Sequence, residues 1–354
     1  MLVRSLSFGA ALAAVVVLPL ACGAFSADGA PTTGSGEGGA GEAGTEGGGG
    51  GEGGAGADAE AIEGSVPSAP IELSTGRKDL RAIAATETDV FFVDQAGGGG
   101  VFAVPMIGGM TRVLATGGAP SSIAIGGDYV YWTDQGNQDV RRVPIAGGPV
   151  DQSPAVTPSG GFVPSVVVAT PNAVVTLTGS MTNTGEIRQY SLALTATLST
   201  GNLTIPFSLA AFGSGFYWTE GGSGAVASGN VGSVTRMELF KENDAESIAA
   251  DAAGVYWTTP FAGKIRGSIG LASPITLASN ENEPRSIAAD GTYVYWTTSN
   301  NELRRTGHQD NGMSSLFAGG FMALTEQHVR AIAVTSRYVV WLTADGKVLR
   351  ANSH

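Results

Sequence analysis

The chain has 354 residues, 19 Lys and Arg against 31 Asp and Glu, a formal net charge of −12, and one cysteine, Cys22. That balance argues against nucleic acid, which calls for a basic footprint. A single cysteine excludes an intramolecular disulfide.

Residues 1–21 read as a bacterial export signal. Arg4 supplies the positive start, and Ala10 to Leu20 form an apolar stretch too short to span a bilayer comfortably. Cys22 follows at once, and the arrangement resembles a lipoprotein signal, in which cleavage precedes a cysteine that becomes diacylated. Leu20 and Ala21 fit the small or aliphatic run before that cysteine, whereas Pro19 stands where such signals usually carry Leu. The resemblance implies a lipid on Cys22 and a protein held by it at the outer membrane of a bacterial cell envelope, facing periplasm or cell surface. The alternative is an ordinary secretory signal with an incidental cysteine.

Residues 22–69 read as a disordered tether. Gly34 to Gly56 is mostly Gly with Glu and Ala, and it lacks any aromatic or branched aliphatic residue. Such a chain is a flexible coil, and a stretch of this length reaches roughly 35–40 Å root-mean-square. It holds 8 of the acidic residues and no Lys or Arg, so residues 64–354 keep 23 acidic against 18 basic side chains. Gly34, Gly36 and Gly39 spell GxGxxG, but no strand precedes them and no helix follows, so the motif carries nothing.

From residue 70 onward one pattern recurs. Nine residues beyond a branched or leucine anchor stands a Trp, or its substitute: Ile83 to Phe92, Ile123 to Trp132, Val167 to Thr176, Leu209 to Trp218, Ile248 to Trp257, Ile287 to Trp296 and Ile332 to Trp341. All five Trp are used, and the anchors are 39 to 45 residues apart. A period near 40 with several short strands per unit is the signature of propeller blades. In the clearest unit, Ser122 to Ile125, Tyr129 to Thr133 and Asp139 to Ile145 are strands parted by Gly-rich turns, with a weaker outer strand after Gly147-Gly148. The last unit stops after its third strand, and a lone strand-like piece, Pro70 to Ser74, precedes the first. The expectation is an all-β, seven-bladed β-propeller of four-stranded antiparallel blades over 70–354, closed by the N-terminal strand.

Tyr131-Trp132-Thr133-Asp134 is a literal YWTD, with near copies at Tyr217, Tyr256 and Tyr295. Residues 80–354 thereby resemble the propellers of low-density-lipoprotein-receptor-type proteins, and are similar to bacterial TolB-like and NHL-like propellers. Two departures stand: an acidic fourth residue survives in only a few copies, and there are seven units where those receptors have six. The partner-binding residues of that family therefore do not carry over.

Catalytic signatures are missing: no HExxH, Cys cluster, GxSxG elbow or phosphate loop occurs. His308 and His328 fall in connections at opposite faces of a propeller, and His354 ends the chain. Streptogramin lyases are seven-bladed propeller enzymes whose chemistry resembles general base catalysis by His with a metal and nearby Glu, and no matching constellation stands out here. No cofactor and no metal ligand set is implied.

The position two before each anchor should reach one mouth of the central channel: Arg81, Ser121, Ser165, Phe207, Glu246, Arg285 and Arg330 in blade order. Arg285, Arg330 and Arg81 fall in consecutive blades once the ring closes, flanked by Glu246, an arc suited to a carboxylate or phosphate. The plainer reading pairs each Arg with a local acid such as Asp79 or Glu283. Two further segments, Glu220 to Gly232 and Thr306 to His328, read as long loops, the second including an outer strand and a flap with Met313, Phe317, Phe321 and Met322. The function expected is that of a non-enzymatic, monomeric envelope lipoprotein that binds a protein, peptide or anionic glycan at its loop-rich face. The alternatives are a lyase- or hydrolase-type enzyme acting in the central funnel and a structural spacer.

Overall fold

The nine-residue step is the register of a hairpin. In a computed structural model, which describes residues 69–154, 163–179, 184–308, 314–318 and 329–353, every anchor is the direct cross-strand partner of the residue nine positions on, from Ile83 opposite Phe92 to Ile332 opposite Trp341. Residues 1–68, on which the expected signal, Cys22 and nearly all of the expected tether fall, lie outside the described residues.

Each hairpin opens a four-stranded antiparallel sheet, and there are seven sheets. Blade one is Leu80–Ala85, Asp89–Asp94, Gly100–Pro105 and Arg112–Thr116; blade two is Pro120–Gly126, Tyr129–Asp134, Asp139–Pro144 and Asp151–Gln152. Blade three is Val163–Ala169, Val174–Gly179, Thr184–Tyr190 and Ala196–Thr204; blade four is Pro206–Phe212, Gly215–Glu220, Ala225–Asn230 and Met237–Lys241. Blade five is Ile248–Ala250, Gly254–Thr259, Lys264–Ile269 and Ile275–Ser279; blade six is Ile287–Ala289, Tyr293–Thr297, Leu303–Gly307 and Ser315–Ala318. Blade seven supplies Val329–Val334, Tyr338–Thr343 and Val348–Asn352, and Ile71–Ser74 adds its fourth strand, with Ile71 opposite Arg350 and Ser74 opposite Val348. First strands of successive blades are neighbours all the way round, blade seven against blade one included. The ring is closed.

Packing between blades explains the Trp period. All five Trp are buried, and each turns toward the preceding blade. Trp257 stacks on Phe240 of blade four with ring centroids 5.6 Å apart, and Trp218 shares a cluster with Val166, Val168 and Leu177 of blade three. Burying such a ring removes roughly 200 Å² from water, about 5 kcal/mol before ordering entropy. The Tyr one residue earlier turns the other way: the Tyr131 hydroxyl donates to Leu192 O of blade three, and that of Tyr295 to Ser353 O of blade seven.

One segment departs from its sequence reading. Glu220 to Gly232 is not a long loop, because Ala225–Asn230 within it is a buried third strand. Its residues are small because aromatic rings crowd it; a Cβ on Gly229 would come within 2.6 Å of the Phe216 ring. In the other long segment Ser315–Ala318 is the expected outer strand, with Phe317 buried, while Met313, Phe321, Met322 and His328 lie outside the described residues, as does His354.

Candidate ligand-binding rim

The seven positions two before the anchors share a backbone cause. In five blades the register shifts across Arg81, Ser121, Ser165, Phe207 and Arg330, each the extra residue of a β-bulge. Blades five and six reproduce the pattern in their hydrogen bonds. Glu246 N donates to Thr258 O while Thr258 N donates to Ser247 O, and Arg285 N donates to Thr297 O while Thr297 N donates to Ser286 O. Equivalent bulges on neighbouring first strands place all seven side chains in one ring at one end of the blades.

The residue after the bulge stitches blades together. Ser122 Oγ accepts from Val167 N in blade three at 3.1 Å, and Ser208 Oγ from Ile248 N in blade five at 3.3 Å. The Thr of the YWT phrase serves the bulge in turn: Thr133, Thr258 and Thr297 accept the N–H of Ser122, Ser247 and Ser286, each at 3.1 Å. Blades with Ala or Val after the bulge carry Val or Leu opposite: Ala82 with Val93, Val166 with Leu177, Ala331 with Leu342. The acidic fourth residue is structural too. Asp134 accepts from Ala119 N, Gly136 N and Asn137 N, and Asp94 from Asp79 N and Ala96 N.

Arg81 and Arg330 are brought together. Both reach Asp79: Arg81 Nη2 at 2.8 Å from Oδ2, Arg330 Nη1 at 3.2 Å from Oδ1, and Arg330 also donates to Leu80 O. Arg285 stands apart from them in the described contacts. It is exposed and pairs with Glu283 at 2.9 Å. Both Asp79-Leu80-Arg81 and Glu283-Pro284-Arg285 place acid and Arg two residues apart in sequence, Glu283 in a bend with φ of 42°. The same spacing pairs Asp139 with Arg141 and Glu302 with Arg304 in third strands.

Glu246 lies beside the Arg285 pair. Burial pushes its carboxyl above the usual range, the charges of Asp244 and Glu283 add to the rise, and Arg285 opposes it. The other arc is quieter: Ser121 Oγ meets Thr133 Oγ1 at 2.8 Å, Ser165 Oγ donates to Leu177 O, and the Phe207 ring lies over Gly221. Sequence reasoning missed Phe261, almost fully exposed in the turn between second and third strands of blade five at this same end.

His308 sits at the opposite end, between blades five and six. Its Nε2 is 3.3 Å from Asp251 Oδ2, and its ring stacks on Tyr256 with centroids 5.1 Å apart. Burial raises the Asp251 carboxyl, but His308, Ala253 N–H and the Tyr256 hydroxyl outweigh it, so the net shift is downward. Among the described residues no group of three His, Cys, Asp or Glu side chains is placed to hold a metal ion.

Neither a protein-family model nor a curated protein matches the sequence. Solved structures do match. Virginiamycin B lyase from Staphylococcus aureus superposes with a TM-score of 0.62 at 12% identity, over 80% of this chain and 98% of that one. A streptogramin B lyase gives 0.64 at 13% identity, over 80% and 97%. The WD40 β-propeller domain of Doa1 gives 0.63 at 10%, over 81% and 98%. At such identities the likeness is one of fold, a seven-bladed β-propeller shared by lyases and a WD40 domain alike.

Proposed function

We propose that this chain is a non-enzymatic binding propeller of the bacterial cell envelope, held by a lipid on Cys22 through its Gly/Glu-rich tether. Its partner is a protein, peptide or anionic glycan whose acidic group docks at the bulge ring. The observation that supports this reading is the meeting of Arg81 and Arg330 at Asp79. Two guanidinium groups from blades one and seven face a single carboxylate, which leaves one positive charge in excess at the mouth. An incoming carboxylate or phosphate gains charge-assisted hydrogen bonds there. Arg285 and Glu246 extend the rim as a second, acid-balanced cluster.

The test is binding of an oligoglutamate peptide by the full chain and by an Arg81→Gln/Arg330→Gln variant. Each contact of this kind is worth ~1.5–3 kcal/mol, so the double variant should lose at least about ten-fold in affinity. Added salt should weaken the wild type more than the variant. Equal affinity in the two proteins sinks the rim. The enzyme alternative, prompted by the lyase structures of this fold, would instead show as turnover of a candidate substrate that depends on a divalent metal.

A further inference from the structure

The second strand of each blade runs back toward the bulge, so the turn into the third strand stands on the bulge-ring face. Five such turns, at residues 95–99, 135–138, 221–224, 298–302 and 344–347, hold no aromatic side chain and no aliphatic one larger than Ala. The turn of blade five, Pro260-Phe261-Ala262-Gly263, is different. Its phenylalanine is 98% exposed. The fold does not call for that ring, since the counterparts close without one.

The backbone beneath Phe261 is tied down. Gly263 N donates to Pro260 O at 3.3 Å, and Pro260 fixes its own φ. Ala262 N donates to Asp244 Oδ2 at 2.8 Å, and Glu281 N donates to Gly263 O at 2.9 Å. Gly263 has a φ of 61°, and a Cβ there would come within 2.7 Å of Glu281 O. A single exposed apolar residue is ordinary on a protein surface. One carried on an ordered turn gives up little backbone freedom on binding.

Two connections flank the turn with hydrogen-bonding groups. Asp244 belongs to the one entering blade five, and Asn282, next to Glu281, to the one leaving it. The Asn282 side-chain amide donates to that of Asn300, in the matching turn of blade six. Both amides are exposed, and Asn282 Oδ1 and Asn300 Nδ2 have no partner among the described residues. The neighbouring carboxylates are largely spoken for: Glu242 pairs with Arg266, Glu281 with Arg304 and Glu283 with Arg285. Asp244 and Glu246 have no ion pair among the described residues.

An aromatic face beside both donors and acceptors, with no positive charge in excess, suits a sugar ring. The C–H face of a pyranose lies against the negative π face of a phenyl ring. Sugar hydroxyls donate and accept alike, so they use carboxylate and amide together. An ammonium or guanidinium group would leave the Asn300 donors idle. A uronate or phosphate would meet Asp244 and Glu246 without a compensating charge.

We propose that the rim over blades five and six is a subsite for an uncharged glycan, with a sugar ring stacked on Phe261 and its hydroxyls on Asp244, Asn282 and Asn300. It is separate from the Arg81–Arg330 rim and holds whether or not that rim takes an anion.

The test is calorimetric titration of the full mature chain with cellohexaose, chitohexaose, maltohexaose and xylohexaose. At least one should bind. Phe261→Ala should weaken that binding on the order of ten-fold or more, with Tm unchanged because the ring packs on nothing. Phe261→Tyr keeps an aromatic face and should keep most of the affinity. Asn282→Ala/Asn300→Ala should weaken binding several-fold. Arg81→Gln/Arg330→Gln should leave it as in the wild type, so loss of oligoglutamate binding and loss of sugar binding are separate results. The proposal is overturned by wild-type chain that binds none of the four sugars at roughly 10 mM, or by equal affinity of Phe261→Ala. Phe261-dependent binding of hexalysine without binding of any sugar assigns the ring to a cationic peptide. Phe261-dependent dimerisation in sedimentation, again without sugar binding, assigns it to a second copy. Either result overturns the proposal too.

Discussion

The ring of His308, from blade six, lies stacked on Tyr256 of blade five with only 19° between their planes. The stack exists because Gly267 stands opposite Tyr256, where the equivalent third-strand positions hold Arg142, Gln189 and Arg305. Those three side chains donate to the next blade, at Leu192 O, Ser233 O and Ser353 O. Gly267 offers no such donor, and His308 fills the space from the other side. A Cβ on Gly267 would come within 2.9 Å of the tyrosine ring and 2.8 Å of Leu277.

Asp251 should matter more than His308 at that seam. The carboxylate also accepts from Ala253 N, Gly254 N, Gly291 N and the Tyr256 hydroxyl. Asp251→Ala strands those donors and should cost about 3–5 kcal/mol, whereas His308→Ala should cost only ~1–2 kcal/mol. Urea unfolding with matched m-values checks the order; a costlier His308→Ala would contradict it.

Two glutamates should respond to pH with opposite sign. For Glu220 burial acts upward, but Arg236, the Trp218 indole, Thr204 and Ser223 outweigh it and hold the carboxyl below its usual range. A depressed folded value gives stability above the unfolded value, lost as pH falls through the folded one. Glu220→Gln should therefore lower Tm at pH 7 and less so in acid. Glu246 is raised, by burial first, so its contribution is present below the unfolded value and lost as pH rises through the folded one. Glu246→Gln should be neutral or stabilising at pH 7, with any gain fading in acid. Thermal scans across pH check both signs.

Closure of the ring predicts unequal truncations. Removing residues 23–60 should leave Tm nearly unchanged. Removing 23–76 takes away the strand Ile71–Ser74 and buried Leu73, exposing the edge of blade seven, and should cost several kcal/mol, roughly. Equal melting of the two forms would place the seam elsewhere.

The serine stitches offer a finer comparison. Ser122→Ala deletes the acceptor for Val167 N and should cost about 1–2 kcal/mol. Ser286 stands at the same place in blade six, yet its hydroxyl has no partner among the described residues. Ser286→Ala should be nearly neutral or slightly stabilising, as Ala82 and Ala331 at the equivalent positions suggest. Denaturant midpoints of the two variants decide it.

The blade count, the hairpin register and the closing strand were legible because each is local or arithmetic. A nine-residue step spans one tight hairpin, so Ile123 and Trp132 meet whatever the rest of the chain does. A last unit ending at its third strand, with a spare strand at Ile71–Ser74, leaves one way to close. The ion pairs of Arg81 and Arg285 were legible for the same reason, since each acid stands two residues before its base and within reach of it. Small residues hid the strand Ala225–Asn230, because one cause, the Phe216 ring against Gly229, lies elsewhere in the blade. Tertiary structure alone decided the rest. Arg330 finds Asp79 only where blade seven meets blade one, 251 residues away in sequence. His308 finds Tyr256 only across a blade boundary that no periodicity records. Side-chain contacts between blades depend on the distance and angle between sheets, and those are fixed by all seven at once when the ring closes.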